Sequence, residues 1–474
     1  MTFSNIPLDL PHRRAFLRLT LTTAGSLSLG GFLAACGGGD DDQESAPPSE
    51  PVPPPQPPAP ARSPFENISA LQPADGNGLM LPLGFSSRIV ARSGQPPLPG
   101  APAWHAAPDG GACFAAPDGG WVYVSNSEMA LTSDLKFAGG VGALRFNRRG
   151  ELTDSYPILK NTGGNCAGGA TPWDTWLSCE EFELTLFGVQ AAGASRRAGM
   201  VWECDPFTRW TDGQQGRSLP ALGHFAHEAV CVDPVHRVLY LTEDADGGRF
   251  YRFVCDAADW PPGAPRPQMQ QGRLQVLQLR GLPANVEVVA AAASAGLRLD
   301  EPCAVEWIDV KDPDEGQAFT RGMMELRGDD PPGLEFVKAE GTWFFNGIVY
   351  FATQNNHRIW AYDTRNQTLE FIYDGSGNAT DAIKFAVNRP DNITVSPFGE
   401  IVATEDGGNL EIGVLRPDRT SQAIARLLGH DRSETTGPAF SPDGMRLYFS
   451  SQRGTSGDPE DGMTFEIILP TAAR

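Results

Sequence analysis

The sequence has few basic residues for its number of acidic ones. Its 474 residues include 58 Asp and Glu but only 37 Lys and Arg, which gives a formal net charge of −21. No basic stripe offsets this charge, so we expect no nucleic-acid partner. Acidic clusters that lack matching Lys or Arg indicate bound cations, while ordinary solubility is the alternative explanation of the net charge.

The sequence also lacks two common hydrolase motifs and a long apolar run. It has no H-E-x-x-H zinc motif and no G-x-S-x-G nucleophile elbow. The apolar segment near the N-terminus is short and rich in Thr, Ser and Gly, which makes it too polar for a membrane-spanning helix. A plain transmembrane anchor or an internal helix is the alternative interpretation of that segment.

The first 62 residues predict export and a tether. Arg13-Arg14 precedes the weak apolar segment, as in a twin-arginine signal, and a lipoprotein cleavage box ends at Cys36. We therefore expect a signal over 1–36, with a lipid anchor at Cys36 on the periplasmic side. A disordered linker rich in Pro, Gly and Asp follows over 37–62, which leaves 63–474 for one large catalytic domain.

Cysteine occurs in an odd number once the lipid-bearing residue is set aside. Eight cysteines are present, so seven remain after Cys36, and at least one is free or binds a ligand. Several lie in apolar runs (ACF, AVCV and FVC) and fit small core residues. A twin-arginine substrate folds before it crosses the membrane, which allows a metal cofactor to be inserted in the cytoplasm.

The strongest pattern in the sequence is one hairpin repeated six times. Each copy has an apolar run, a turn of Pro, Asp, Asn or Gly, a second apolar run, then Ser or Thr and mostly an acid or amide. The copies are GGACFAAPDGGWVYVSNSE, GGATPWDTWLSCEE, EAVCVDPVHRVLYLTED, EGTWFFNGIVYFATQN, DNITVSPFGEIVATED and GPAFSPDGMRLYFSSQ.

The spacing of the copies predicts the fold class. Most copies follow one another at intervals of about 45 to 65 residues, which suits one four-stranded blade each. We therefore predict an all-β fold, a six-bladed β-propeller with rim insertions; seven blades, or a sandwich of repeated hairpins, are the alternatives. The longest interval, from Thr242 to Thr353, contains an insertion or a hidden blade, and ANVEVVAAAASAGLRLDE within it suits an inserted helix.

Equivalent positions of the copies are expected to meet, because the inner strands of a propeller surround one axis. The position that opens a hairpin holds Cys166, Glu228, Glu340, Asp391 and Gly437. The residues just beyond the second strands are Glu128, Glu180, Glu181, Glu243, Asp244, Gln354, Asn355, Glu405, Asp406 and Gln452. Converging carboxylates repel one another unless they are protonated or bridged by cations, so we predict a metal site.

The residue types indicate a mixed metal cluster. Carboxylates suit hard cations such as calcium, and the thiolate of Cys166 suits a transition metal. Glu180 and Glu181 point to opposite faces of an extended strand, and we favour Glu181 as the ligand. Taken singly, Cys166 also fits a buried inert thiol, and Glu228 fits a salt bridge at a loop end. His224 and His227 fit contacts behind the ligands or towards a substrate.

Phosphate esters are the substrates that such a cluster suits, because several cations neutralise the charge of the transition state. A few basic side chains are expected to help. The candidates are Lys338, Arg389, Arg249 and Arg358. Each of these also fits an ordinary solvated charge.

Four stretches carry a resemblance to the PhoX-type alkaline phosphatases, over nearly all of residues 75–455. They are GNCAGGATPWDTWLSCEE, HFAHEAV, VKAEGTWF and RPDNITVSPFGEIVATED, together with the twin-arginine leader. The resemblance implies a six-bladed propeller in which the cysteine bridges two ferric irons, Fe(III), with Ca2+ ions beside them. It also implies hydrolysis of many phosphomonoesters outside the cytoplasm.

The resemblance also assigns roles to residues. Cys166 would bridge the irons, and Glu340, Lys338 and Arg389 would act in catalysis. The oxygen ligands would be Glu181, Glu228, Glu340, Asp391, Asp406, Glu180 and Asp244. One departure is Lys338-Ala339, where the family has Arg-Pro; lysine keeps the charge but lacks the two-pronged grip of arginine on phosphate.

Two other functions fit the sequence. One is a calcium-dependent propeller lactonase or esterase, in which Cys166 has no role in activity. The other is a non-catalytic lipoprotein module that calcium stabilises. In the enzyme interpretations we expect a monomer whose partner is a small-molecule ester, a phosphate ester in the main prediction, with membrane contact only through the lipid anchor.

Overall fold

The computed structural model describes residues 63–134, 136–183, 197–211, 216–376 and 387–470. The signal over 1–36, Cys36 and the linker over 37–62 lie outside the described residues, so those expectations stay predictions. The described residues contain 26 strands, two α-helices and two short 3-10 helices, at Pro220–Leu222 and Pro459–Asp461. No helix among them is long and apolar enough to cross a membrane.

The strands of the first half are β1 (Leu79–Met80), β2 (Ser86–Arg92), β3 (Pro108–Ala115), β4 (Trp121–Ser127), β5 (Gly139–Phe146), β6 (Leu152–Thr162), β7 (Asn165–Ala170), β8 (Trp176–Glu180), β9 (Val201–Cys204), β10 (Arg217–Ser218), β11 (His227–Asp233), β12 (Val238–Glu243) and β13 (Phe250–Cys255). The elements of the second half are β14 (Gly272–Leu279), α1 (Val288–Ala295), β15 (Cys303–Asp309), α2 (Gln317–Leu326), β16 (Ala339–Phe345), β17 (Ile348–Thr353), β18 (Arg358–Asp363), β19 (Thr368–Asp374), β20 (Pro390–Val395), β21 (Ile401–Glu405), β22 (Glu411–Leu415), β23 (Ser421–Leu427), β24 (Thr435–Phe440), β25 (Arg446–Ser451) and β26 (Met463–Ile468).

All six predicted hairpins are present as antiparallel pairs. They are β3–β4, β7–β8, β11–β12, β16–β17, β20–β21 and β24–β25. The turns are where the sequence places them: Gly119 and Gly399 take positive φ values of 83° and 91° at two of the reversals. A side chain in this left-handed region is strained, which explains glycine there.

The hairpins extend into six antiparallel meanders. Meander 1 is β3–β6, meander 2 is β7–β10, meander 3 is β11–β14, meander 4 is β16–β19, meander 5 is β20–β23 with β1, and meander 6 is β24–β26 with β2. Meanders 1, 2, 5 and 6 are separate sheets. Meanders 3 and 4 form one nine-stranded sheet because β15 pairs with β14 on one side and with β19 on the other.

The first strands of the meanders form a ring. These inner strands contact one another in the order β3, β7, β11, β16, β20, β24 and back to β3. In meander 6 the outermost strand is β2, which pairs with β26. The prediction of an all-β, propeller-like fold is confirmed, while the count of six blades stays a prediction because of the shared nine-stranded sheet.

The interval from Thr242 to Thr353 holds an insertion. It contains β13 and β14, which complete meander 3, and then α1, β15 and α2. The predicted helix in the alanine-rich stretch is α1. Glu287 accepts a hydrogen bond from the Ala290 N–H at its start, and Gly296 ends it with a left-handed φ of 69°.

The hydrophobic core lies between neighbouring meanders. Between meanders 1 and 2, for example, Val122 and Val124 pack in one cluster with Trp176 and Trp202. Alternate residues of each strand enter these interfaces, and a fully buried side chain of this size stabilises the fold by about 1.5–3 kcal/mol. The ring that positions the inner strands is therefore maintained by packing at a distance from the axis.

Candidate metal centre

Every hairpin has the same irregularity near the axis. In each one, two residues of the inner strand lie opposite one residue of its partner, so one extra residue bulges out. The bulges begin at Asp109, Cys166, Glu228, Glu340, Asp391 and Gly437. A bulge re-aims a side chain, which accounts for the convergence of residues that are far apart in sequence.

The converging side chains form three overlapping groups. In each group the candidate ligand atoms lie within 4.8 Å of one another. The groups are Asp109 with Glu128 and Cys166, then Cys166 with Glu181 and Glu228, then Glu228 with Glu340 and Asp391. Cys166 and Glu228 are each shared by two groups, so the seven residues form one continuous cluster, called the acidic cluster below.

The acidic cluster is largely buried, and its six carboxyl groups lie close together. Burial raises the pKa values of Asp109, Glu181, Glu228, Glu340 and Asp391 well above normal, and the neighbouring carboxylates raise them further. Burial also raises the pKa of the Cys166 thiol, and the nearby carboxylates add to the effect. Two negative charges 4.8 Å apart repel by about 3–4 kcal/mol at an effective dielectric constant near 20.

Two buried carboxylate oxygens of the acidic cluster have no hydrogen-bond partner among the described residues. They are Glu228 Oε2 and Glu340 Oε1. An unsatisfied buried acceptor costs about 1–3 kcal/mol, or more when charged, so such atoms usually have a ligand. A thiol with six carboxylates is a donor set that fits a transition metal and calcium together, which are the metals the resemblance implies.

Three amide side chains orient the cluster. Asn392 Nδ2 donates to Glu228 Oε1 (3.2 Å) and to Asp391 Oδ1 (2.9 Å). Gln452 Nε2 donates to Asp109 Oδ2 (2.5 Å) and to Glu128 Oε2. Asn126 Nδ2 donates to the backbone oxygens of Cys166 (3.1 Å) and Ala167 (2.7 Å), which holds the bulge that carries the thiol.

A second ring of residues is defined by one repeated hydrogen bond, and two of its members, Glu128 and Glu181, also belong to the acidic cluster. The residue just beyond each second strand donates its backbone N–H to a carbonyl that precedes the inner strand. The pairs are Glu128 to Ala107, Glu181 to Gly164, Asp244 to Ala226, Gln354 to Lys338, Asp406 to Arg389 and Gln452 to Glu434. Basic residues therefore enter this ring at meanders 4 and 5, the positions of Lys338 and Arg389.

The basic residues of this ring are paired with acids. Lys338 Nζ lies 2.8 Å from Asp244 Oδ1, and Arg389 Nη2 lies 2.6 Å from Asp406 Oδ2. Arg453, beside Gln452, pairs with Glu434 at 2.7 Å. Partial burial lowers the pKa of Lys338. The hydrogen bond to Asp244 and the charges of Asp244, Glu340 and Glu181 raise that pKa by more, so Lys338 is charged at neutral pH.

The structure brings most of the predicted site residues together, but not all of them. Cys166, Glu181, Glu228, Glu340 and Asp391 lie in the acidic cluster. Asp244 and Asp406 lie outside the three groups, each held by its basic partner. Glu180, the last residue of β8, also lies outside: its oxygens accept the N–H groups of Gly163 (2.9 Å) and Met200 (3.2 Å), whereas the next residue, Glu181, lies in the cluster.

The other predicted basic and histidine residues have structural contacts. Arg249 donates to Gly247 O (2.6 Å) and Asn285 Oδ1 (2.6 Å), and Arg358 pairs with Asp374 (2.8 Å). His227 is buried against Phe225, and burial lowers its pKa to about 3, so the ring is neutral. For His224, burial lowers the pKa to about 4.

Asp109 is the one member of the cluster that the repeat pattern missed. It begins the first bulge, 16 residues before Ser125, whereas the other bulges begin 12 to 14 residues before their Ser or Thr. The first hairpin has the longest paired stretch between its bulge and its turn, with five residue pairs from Gly111 to Ala115 against two to four in the others. An alignment anchored on the bulge rather than on the start of the apolar run would have included Asp109.

Comparison with known proteins shows one matching family. The family model described as alkaline phosphatase PhoX matches residues 118–454. No match was found among curated proteins. Among solved structures, PhoX of Pseudomonas fluorescens in complex with vanadate, a transition state analogue, is 16% identical, with a TM-score of 0.63 over 84% of this chain and 97% of that chain.

Two Bacteroides thetaiotaomicron structures are more distant. A putative phosphatase is 8% identical, with a TM-score of 0.43 over 82% of this chain and 79% of that one. A protein of unknown function is 10% identical, with a TM-score of 0.43 over 81% of this chain and 76% of that one. At 16% identity the PhoX structure supports the propeller-like fold alone.

Proposed function

Because this chain belongs to the PhoX family of alkaline phosphatases, we propose that it hydrolyses phosphomonoesters at the acidic cluster. One observation carries the proposal. Three groups of potential ligands share Cys166 and Glu228, so they suit several adjacent cations rather than one isolated ion. Phosphoryl transfer needs this concentration of positive charge around the reacting phosphate.

We propose that Cys166 and Glu228 hold iron, with Glu181 as a further ligand. Glu340, Asp391, Asp109 and Glu128 would supply oxygen ligands to calcium. Bound there, the metal ions would polarise the phosphoryl oxygens and lower the pKa of a water molecule. In the reaction, the water oxygen bonds to phosphorus as the bond from phosphorus to the alcohol oxygen breaks, which yields the alcohol and inorganic phosphate.

The chain's own residues position the substrate and balance its charge. Lys338 and Arg389 lie at the rim on meanders 4 and 5, where their side chains are 32% and 45% exposed. Each can exchange its bond to Asp244 or Asp406 for a bond to a phosphoryl oxygen. Glu340 follows Lys338 by two residues, so a cation at Glu340 and the Lys338 ammonium would bind the same phosphate.

The remaining finer predictions belong to the same proposal. We count six blades, with meanders 3 and 4 as two of them and β15 as a bridge between their outer strands. We expect export by the twin-arginine route and a lipid anchor at Cys36, with the domain on the periplasmic side. The ring order of the six inner strands supports the blade count.

The test is hydrolysis of p-nitrophenyl phosphate by protein purified without chelators. We expect activity that calcium removal abolishes and calcium addition restores, together with iron in the purified protein. Cys166→Ala should lose the iron and the activity. Activity that survives Cys166→Ala, or hydrolysis of lactones instead of phosphate esters, would contradict the proposal.

A further inference from the structure

The rim of the acidic cluster differs between its two sides. In the second ring, the positions before the inner strands are Lys338, Arg389 and Glu434 on meanders 4, 5 and 6. On meanders 1, 2 and 3 the same positions are Ala107, Gly164 and Ala226. At these positions before the inner strands, long charged side chains lie on one half of the ring and small uncharged residues on the other.

A small apolar cluster lies on the half of the ring that carries Ala107 and Gly164. Its members are Leu131, Phe137, Phe182 and Ala198, and it is separate from the larger cores between the meanders. Phe182 directly follows the cluster residue Glu181. Leu131 and Phe137 bridge a loop that leaves meander 1, and Gly164 N donates to Met129 O (3.1 Å) at the base of that loop.

The backbone that leads to Cys166 passes directly beneath this apolar cluster. A Cβ atom placed on Gly163 would lie 2.9 Å from Phe137 Cδ1, and one placed on Gly164 would lie 3.3 Å from Phe182 Cβ. Glycine at both positions lets the aromatic rings approach the strand. Phe137 is buried, whereas Leu131 and Phe182 keep partly exposed surfaces.

The apolar cluster and the basic residues lie on opposite sides of the ring. The inner strands follow the order of meanders 1 to 6, so meander 1 faces meander 4 and meander 2 faces meander 5. The apolar cluster belongs to meanders 1 and 2, while Lys338 and Arg389 belong to meanders 4 and 5. A molecule that spans the acidic cluster therefore meets charge at one end and apolar surface at the other.

From this geometry we infer the orientation of the substrate: the phosphoryl oxygens face Lys338 and Arg389, and the alcohol portion of the ester lies against Leu131 and Phe182. The site therefore favours phosphate esters of aromatic or extended apolar alcohols over esters of small polar ones. This inference rests on the proposed function, since it concerns the substrate of the same site. An aromatic group offset-stacked or edge-on against Phe182 gains contact that a methyl group lacks.

The test compares ligands that differ only in the apolar group. Phenylphosphonate and methylphosphonate are not hydrolysed, so their dissociation constants measure binding alone. Wild-type protein should bind phenylphosphonate about five- to tenfold more tightly. Phe182→Ala should remove most of that preference while leaving methylphosphonate binding and metal content unchanged, and Leu131→Ala should reduce it by a smaller factor.

Phe398→Ala is the matched control. Phe398 is 37% exposed in the turn between β20 and β21, at the far end of β20 from Asp391, so its loss should change neither dissociation constant. Equal binding of both phosphonates by wild type, or a preference that survives Phe182→Ala and Leu131→Ala, would overturn the orientation. The binding measurement involves no turnover, so its outcome does not depend on hydrolysis of p-nitrophenyl phosphate. That hydrolysis is the separate test of the proposed function.

Discussion

Replacing Glu228 with glutamine should have opposite effects on the metal-free and metal-loaded protein. Without metal, burial and the neighbouring carboxylates raise the pKa of Glu228 well above its usual 4.5, which favours its protonated form in the folded protein. In the unfolded chain the same group ionises, which favours unfolding. For a carboxyl that ionises only in the unfolded chain, this preference is on the order of 3 kcal/mol at pH 7.0, and it shrinks as the pH falls towards 4.5.

Glu228→Gln removes this penalty because glutamine does not ionise in the unfolded state. The amide of the substituted side chain keeps an oxygen that can accept the bond from Asn392 Nδ2, which lies 3.2 Å from Glu228 Oε1. We therefore expect the metal-stripped variant to be about 3 kcal/mol more stable than stripped wild type at pH 7.0. With metals, the variant should be less stable than wild type and inactive, because a ligand shared by two groups is lost.

Denaturant unfolding at pH 7.0 and 5.0, with and without chelator, measures both effects. Glu203→Gln is the matched control. Glu203 is also buried, but Arg217 and Arg266 lie 2.7 Å from it. Burial raises the pKa of Glu203, but the hydrogen bond from Arg217 and further hydrogen bonds lower that pKa by more. This variant should lose about 2 kcal/mol whether or not metal is present. If Glu228→Gln instead destabilised the stripped protein as Glu203→Gln does, it would be wrong that the cluster's carboxyl groups lack compensating charge in the absence of metal.

Three further predictions concern the same site. Cys166→Ala should lower phosphatase activity by about 100-fold or more and remove iron, whereas Cys113→Ala, on β3 but outside the cluster, should change neither; iron content and rate are measured together. Lys338→Ala should raise KM for phosphate esters by about 10- to 100-fold through loss of a charge-assisted hydrogen bond, with metal content unchanged, and Lys338→Arg should restore most of the loss; an unaltered KM would remove Lys338 from the substrate site. The melting temperature of metal-stripped protein should fall as pH rises from 5 to 8, because carboxyls with raised pKa values bind more protons folded than unfolded, and calcium should abolish that slope; a melting temperature that rises over this range would contradict the account.

The repeat pattern made most of the ring predictable. The hairpins, their order and the convergence of Cys166, Glu228, Glu340 and Asp391 follow from alternation and spacing, which depend on local residue types. Asp109 was missed because the longer paired stretch of the first hairpin places it further from Ser125 than its equivalents are from their Ser or Thr. The pairing of Asp244 with Lys338 and of Asp406 with Arg389 was also missed, since each depends on how side chains at the rim are oriented rather than on the repeat.

Other features depend on atomic detail that a pattern does not contain. The one-residue bulge that re-aims each ligand is invisible in the sequence, because it changes the pairing register and not the residue types. Glu180 and Glu181 illustrate what the pattern can and cannot give. Alternation indicated that Glu181 faces the cluster, but it did not indicate that the N–H groups of Gly163 and Met200 bind Glu180. Strand β15 joins meanders 3 and 4 by pairing with β14 and β19. It lies in the insertion, and the length of the insertion alone did not predict a strand there.

The most direct test of the acidic cluster is element-specific anomalous scattering from crystals of protein purified without chelators. We predict iron peaks within bonding distance of Cys166 Sγ and calcium peaks among Glu228, Glu340 and Asp391. Crystals that contain only water at these positions, with no iron beside Cys166, would contradict the central claim that one buried thiol and its carboxylates bind several metal ions.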